Sequence, residues 1–199
     1  MLLSPELQTQ LTFCWQLLSR GAAYKRDPFH TPVIGTLGST SAQMRTVVLR
    51  RTLITQRQLI FYTDIRSDKV QELRNDATLS WLFYHPKKAI QIRAVSQGII
   101  HHKNELAKSY WQQIPWYGRK TYGTTQAPAT PLPHASDNLP DLWKQPDVPL
   151  SETEYAFKNF AAVVCTVTQL EWLYLDRNGH RRAIFQYEDE AWSGQFIVP

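Results

Sequence analysis

Arg45-Thr-Val-Val-Leu-Arg50, a short polar spacer, and then Leu59-Ile-Phe-Tyr-Thr-Asp-Ile-Arg-Ser-Asp-Lys69 form the stretch that decides how this chain folds. Two apolar, β-prone runs each end in cations and hydroxyls: Arg45 and Arg50 bracket the first, and Tyr62, Thr63, Arg66, Ser67 and Lys69 close the second. Val70 and Leu73 then follow at helical spacing, so the second cluster falls where a strand gives way to a helix. Cations and hydroxyls beside a helix N-terminus suit a phosphate group, and a flat apolar body could lie along the strands themselves. The pattern points to a bound phosphorylated cofactor more than to a hydrolytic centre.

Working outward, the signals are mostly those of strands. His30–Leu37 reads as a strand closed by the Gly38–Ser41 turn, Met44–Ile54 as its hairpin partner, and Gln58–Thr63 as a third strand. Ser67 reads as the cap of a short helix that ends at Asn75-Asp76. Thr78–Tyr84 and Ala89–His101 are further strands joined at His85–Lys88. Phe160–Val167, Leu170–Leu175, Ala183–Tyr187 and Trp192–Val198 complete the series, with a turn at Asp176-Arg-Asn-Gly179. A helix over 5–20 is expected from Ser4-Pro5 at its start, apolar residues at Leu7, Leu11, Cys14, Trp15 and Leu18, and Gly21 as a stop. A second is expected after Asn104, with Leu106, Tyr110, Trp111 and Ile114 on one face. Residues 126–150 hold six of the twelve prolines and no periodicity, so an irregular arm or mobile loop is expected there. Six to eight strands with helices at the edges predict a mainly β fold, an antiparallel barrel in one domain spanning 1–199.

Composition narrows the function. The 199 residues carry a net charge of +5 and 43% hydrophobic side chains, which suits a folded chain. The basic excess is dispersed, with no run of five or six like charges, and this argues against nucleic acid. Cys14 and Cys165 each lie in an apolar run and read as buried thiols. His101-His102 is not read as a metal pair, because neighbouring strand residues face opposite ways and no third ligand has suitable spacing. Trp15, Trp81 and Trp111 read as core or interface anchors rather than stacking platforms. No secretory leader and no long apolar span is recognised, so a cytoplasmic protein without a membrane segment is expected. Glycine-rich dinucleotide or P-loop signatures do not occur.

Taken in order, Arg45-Thr-Val-Val-Leu-Arg50, Phe61-Tyr-Thr-Asp-Ile-Arg-Ser-Asp-Lys69, Gln91-Ile-Arg93, Trp172 and Gly179-His-Arg-Arg182 resemble the pyridoxamine 5'-phosphate oxidase-like family, the FMN-binding split barrels. The resemblance runs from about Pro28 to the C-terminus, leaving out the proline-rich arm. It implies an antiparallel split β-barrel, FMN as cofactor, a homodimer with FMN at the interface, and oxidoreductase chemistry on a small molecule. It further implies cofactor contacts by Arg45, Val47, Val48, Leu49, Arg50, Tyr62, Thr63, Ser67, Lys69, Gln91, Trp172 and Arg182. Arg50, Tyr110 and His180 would face substrate, with His180 positioning it, and no metal is implied.

The departures are specific. Asp68 stands where the true oxidase has an arginine beside the lysine, and Arg66 is the candidate to restore that charge. Asn178 replaces an arginine of the vitamin-phosphate site, and Ile114 and Gly118 fall near its arginine and serine. A relative that keeps FMN and acts on another substrate is expected. The alternatives are authentic pyridoxamine or pyridoxine 5'-phosphate oxidation, or an FMN-binding carrier without turnover.

Overall fold

The β-prone runs become nine strands, β1 Val33–Leu37, β2 Ala42–Thr46, β3 Leu49–Leu53, β4 Gln58–Asp64, β5 Thr78–His85, β6 Ile90–His101, β7 Phe160–Tyr174, β8 Arg181–Glu188 and β9 Ala191–Ile197. They come from a computed structural model that describes residues 3–145 and 148–199. The chain forms two compact units: one contains the residues up to Phe61 with Asp76–Ile99 and Val164–Pro199, the other Tyr62–Asn75 with Ile100–Val163.

The first unit is built on the sheet. Its order is β2-β1-β5-β6-β7-β4-β3, with β8 added to β7 and β9 to β8. β1 pairs antiparallel with β2 and β5, β5 with β6, β3 with β4, β7 with β8 and β8 with β9. β2 and β3 are therefore at opposite ends of a seven-strand path, yet only Val47 and Val48 separate them in the chain. Three peptide steps span at most about 11 Å, so the sheet must curl until its two ends nearly meet. The result is a split barrel that is not closed by a continuous ladder.

The expected single strand over Met44–Ile54 is thus two strands. Nothing local breaks it; the pairing does. β1 begins at Val33, just after Pro32, and the Val47 N–H donates to the Pro32 carbonyl at 3.0 Å. Beyond that point the chain leaves β1 and joins β4. The hairpin with β1 holds, with Ile34 opposite Arg45. Two other expected strands, Phe160–Val167 and Leu170–Leu175, merge into the 15-residue β7, and the segment before β1 is a 3-10 turn at Pro28–His30.

Helix α1, Pro5–Ala23, is three residues longer than expected. Ser4 caps it, accepting from the Leu7 N–H at 3.3 Å. Gly21 is inside the helix and does not end it. Its missing side chain admits Phe29, whose Cβ and backbone carbon would lie 2.6 and 2.8 Å from a methyl group at that position. Cys14 and Trp15 are buried on the same helix, and burial pushes the Cys14 thiol up to about 12. Cys165 in β7 is shifted upward for the same reason. Both thiols are inert structural groups.

The second unit is helical and irregular. It holds α2 Asp68–Asn75, α3 Glu105–Trp111 and α4 Trp116–Arg119, with 3-10 segments at Lys120–Tyr122, Asp141–Lys144 and Leu150–Asn159. Asn104 caps α3 through the Ala107 N–H at 2.9 Å. Tyr110 and Trp111 face inward, while Leu106 is exposed and does not share their role. Trp111, Tyr122, Phe157 and Phe160 pack ring on ring. Arg119 is buried beneath them over the Trp111 ring, and its guanidinium donates to the Ile114 and Trp111 carbonyls, Thr153 and Glu154.

The proline-rich arm is more ordered than expected, although residues 146 and 147 of it are outside the described set. Trp143 is 1% exposed, its ring against Gly123 and 5.1 Å from that of Tyr155. Upstream, Thr125 and Asn138 close a loop neck with a backbone bond of 3.0 Å and a side-chain bond of 2.7 Å. Among the described residues no helix is long and apolar enough to cross a membrane.

Gly21 offers a test of packing against propensity. Alanine in a helix interior gains about 1 kcal/mol over glycine, but here it must displace backbone atoms of Phe29. Overpacking of this kind costs about 1–3 kcal/mol. Gly21→Ala is therefore expected to lower the midpoint of thermal unfolding, measured by circular dichroism, where propensity alone would raise it.

Candidate functional site

The residues singled out in the sequence fall into two groups, one in each unit. In the second unit, β4 ends in Tyr62, Thr63 and Asp64, and a tight turn leads into α2. The Ile65 N–H donates to the Asn159 carbonyl at 2.8 Å, fixing that turn. The Ser67 hydroxyl donates to the Asp64 carbonyl at 2.7 Å and is 3.2 Å from the Thr63 hydroxyl. Lys69 Nζ donates to Thr63 Oγ1 at 3.3 Å. Two hydroxyls and an ammonium are thereby gathered at the first turn of α2, where the helix dipole adds positive potential. Tyr62 packs against Tyr110 and Phe160 at ring distances of 5.6 and 5.1 Å, so the Tyr62–Tyr110 pair is brought together as well.

Arg66 has a different employment. Its guanidinium holds both oxygens of the buried Asp64, at 2.9 and 2.7 Å, and also reaches the Thr124 hydroxyl at 2.9 Å. The hydrogen bond to Asp64 raises the Arg66 pKa above its ordinary value. Its charge is matched within the unit and ties the turn to residue 124, so the lost cation at Asp68 is not simply replaced by it.

In the first unit, Arg45 lies in β2 and its guanidinium donates to Thr36 of β1 and to the Gln43 carbonyl. Val47 and Val48 are outside every ladder, in the link between β2 and β3. Leu49 is buried opposite Phe61. Arg50 is the extra residue of a bulge, because the register jumps from Leu49–Phe61 to Arg51–Ile60. Bulges re-aim side chains, and Arg50 is exposed there.

Gln91 is half-buried on β6 opposite Tyr84. Trp172 on β7 is 6% exposed, and its indole N–H has no hydrogen-bond partner. Arg182 on β8 lies opposite Leu173, whereas Trp172 lies opposite Ala183. Alternation therefore points Trp172 and Arg182 to opposite faces of that ladder; the structure does not bring this expected pair together. Arg182 instead meets Glu171, Nε to Oε1 at 3.1 Å and Nη2 to Oε2 at 3.1 Å. Glu171 also receives Arg93 Nη2 at 2.7 Å.

His180 belongs to the turn before β8. Its Nδ1 accepts from the Asp176 N–H at 3.1 Å, which leaves Nε2 to carry the hydrogen in the neutral ring. The same turn holds Asp176, kept below the usual carboxylate range by the Asn178 N–H, and Gly179 at φ +128°. His101 and His102 are structural: Asn104 donates to His101 Nδ1 at 3.1 Å, and His102 Nδ1 donates to the Phe160 carbonyl at 2.9 Å. Among the described residues no group of three or more metal-binding side chains gathers.

A concavity of about 510 Å³ opens in the first unit, a volume usual for small-molecule sites. Its lining includes Val33, Met44, Trp81, Val95 and Arg93. Residues 14–102 match the family model described as "Pyridoxamine 5'-phosphate oxidase, FMN-binding domain". The chain resembles that family and shares its fold. A pyridoxamine 5'-phosphate oxidase-related, FMN-binding protein from Nostoc punctiforme PCC 73102 superposes with a TM-score of 0.72 at 21% identity, covering 100% of both chains. PhzG from Burkholderia lata 383, solved with tetrahydrophenazine-1-carboxylic acid, gives 0.71 at 16% identity over 100% of this chain and 98% of its own. At these identities the likeness is one of fold. No curated protein matches the chain.

Glu171 escapes a reading of the sequence alone. The one charged residue of a mostly apolar strand, between Leu170 and Trp172, is the signal that could find it. Arg66 and Lys69 make separable predictions. Arg66→Ala strips a buried carboxylate of its cation and should cost about 1–3 kcal/mol of stability in urea titrations. Lys69→Ala removes a half-exposed ammonium and should leave the unfolding midpoint nearly unchanged.

Proposed function

We propose that the chain binds FMN and acts as an FMN-dependent oxidoreductase, as a homodimer, on a small molecule other than pyridoxine or pyridoxamine 5'-phosphate. The observation that carries this reading is the Thr63–Ser67–Lys69 cluster at the start of α2. Its donor set fits a phosphate monoester: the Lys69 ammonium, the Thr63 hydroxyl and a helix N-terminus, while the Ser67 hydroxyl donates to the Asp64 carbonyl and Arg66 is engaged by Asp64 and Thr124. Two further features support it. The Val47–Val48 link offers backbone outside any ladder, and the buried Trp172 indole keeps an N–H unmatched. The match over residues 14–102 to an FMN-binding domain agrees with it.

In this reading Lys69, Thr63 and Ser67 hold the phosphate, while Arg45 and Val47–Leu49 are cofactor contacts that the family resemblance implies. FMN supplies the redox chemistry; the chain fixes its orientation, its electrostatic surroundings and the access of substrate. His180 presents Nε2–H from an exposed turn and serves as the substrate-positioning donor. Asn178 takes the place of a family arginine, which removes a cation from a vitamin-phosphate site. A carrier that binds FMN without turnover is the second reading, favoured by His180 having one nitrogen already committed to its turn.

The purified protein is expected to show the two visible absorption bands of a flavin and to release FMN near one per chain on denaturation, identified by mass spectrometry. A colourless protein that fails to take up added FMN sinks the reading. Arg45→Ala and Lys69→Ala are each expected to weaken FMN binding about ten- to hundredfold, the loss of one charge-assisted bond at about 1.5–3 kcal/mol, in fluorescence titrations. Oxygen uptake with pyridoxine 5'-phosphate is expected to stay at background; robust turnover would restore the vitamin phosphate as substrate.

A further inference from the structure

Glu171 is 3% exposed and forms the centre of a charged strip that the family resemblance did not predict. Its carboxylate accepts from Arg182 through two nitrogens and from Arg93 through one. The three residues lie on three adjacent strands, β6, β7 and β8. Register explains the meeting. Glu171 is opposite Ile184 and Leu173 is opposite Arg182, so Glu171 and Arg182 are diagonal neighbours on one face. Arg93 is two residues from Gln91 along β6 and therefore shares a face with it. A residue read as a cofactor contact, Gln91, is thus on the same strand face as one arm of the cluster, and another, Arg182, is its other arm.

We infer that Glu171 is a positioning residue that holds the Arg182 guanidinium in one orientation and, with Arg93, sets the net charge presented by that strip. The inference rests on the FMN reading above. A guanidinium gripped through two nitrogens has its plane fixed, and here the grip uses Nε and Nη2, so Nη1 takes no part in it. Two arginines and one glutamate leave a net charge of +1. Arg93 is the more exposed of the two cationic partners, so the strip presents its charge mainly through Arg93 while Arg182 is held by Glu171.

The arrangement makes charge the readout. Reduction adds negative charge to a flavin, so nearby net positive charge raises its potential and its loss lowers it. Glu171→Gln changes the strip from +1 to +2, and Arg93→Gln changes it from +1 to 0. The experiment is a dye-equilibrated reductive titration of the FMN-loaded wild type and of both variants, with FMN affinity by fluorescence and folding by circular dichroism. The expected result is a pair of shifts of opposite sign, upward for Glu171→Gln and downward for Arg93→Gln. Each should be about tenfold in the two-electron equilibrium, or about 30 mV. Glu171→Asp, which keeps the charge and shortens the reach, should leave the potential near wild type while weakening FMN binding. Shifts of the same sign, or none, in folded variants that bind FMN overturn the role of Glu171 and leave the FMN reading standing. Failure of the wild type itself to bind FMN overturns both. Should Glu171→Gln not fold, Glu171→Asp decides: weakened FMN binding at an unchanged potential supports the positioning role, and wild-type binding overturns it.

Discussion

Two residues, Val47 and Val48, join the first strand of the sheet path to the last. That covalent link cannot stretch, so the sheet has to curl, and the curl determines which faces are inside. The core of the first unit follows: Ile34, Leu49, Ile60, Phe61, Trp81, Phe83 and Ile92 are all buried. Phe61 meets Trp81, and Trp81 stacks on Phe83. The polar tip of Trp81 is satisfied by Ser96 at 2.9 Å, so the large ring is buried with its N–H paired. The seam that the link creates is also where the Arg45–Arg50 motif lies. The same backbone that curls the sheet therefore runs outside any ladder in the middle of the motif read as flavin-facing, with the Val47 N–H bonded to the Pro32 carbonyl.

The second unit solves a different problem. It has little regular structure, and its irregular backbone must still be satisfied. Aromatic packing supplies the burial, and long polar side chains supply the bonds. Arg119 meets two carbonyls, a threonine and a glutamate; Asn159 donates to the Tyr122 carbonyl; Arg66 spans Asp64 and Thr124. The helix-start cluster is precise because the turn in front of it is held by Asn159 and by the Asp64–Arg66 pair. Rigid supports of this kind are what a phosphate subsite requires.

Much of this is legible in the sequence, for physical reasons that can be named. Side-chain caps at Ser4 and Asn104 and the Asp176–Gly179 turn depend on local chemistry, and each lies where its residues predict. Strand identity survives because β-branched and aromatic runs fit a half-buried pleated surface. The break at Val47–Val48 cannot be read locally, because only the choice of partner strands imposes it. Gly21 looks like a stop and proves to be a close approach; periodicity has no view of Phe29. Trp143 is hidden among prolines, where the absence of a repeat masks a single deep anchor. At the site, residue types and order identify the Thr63–Ser67–Lys69 gathering, but not the partner that Arg182 and Arg93 share. Charge pairing across strands is a property of register, and register is not written in any one segment.

The neck formed by Thr125 and Asn138 has a consequence for how such a chain tolerates change. Its two bonds bring the ends of the intervening loop together, and Trp143 is seated separately beyond it. The entropy of closing a flexible loop grows only with the logarithm of its length, about 0.6 kcal/mol for each doubling. Insertions or deletions between the two neck residues are therefore nearly free of energetic consequence for the rest of the unit. The same change placed between Asn138 and Trp143 would pull on a buried indole. Length drift along a lineage is expected to collect on one side of Asn138 and to stop abruptly at the other.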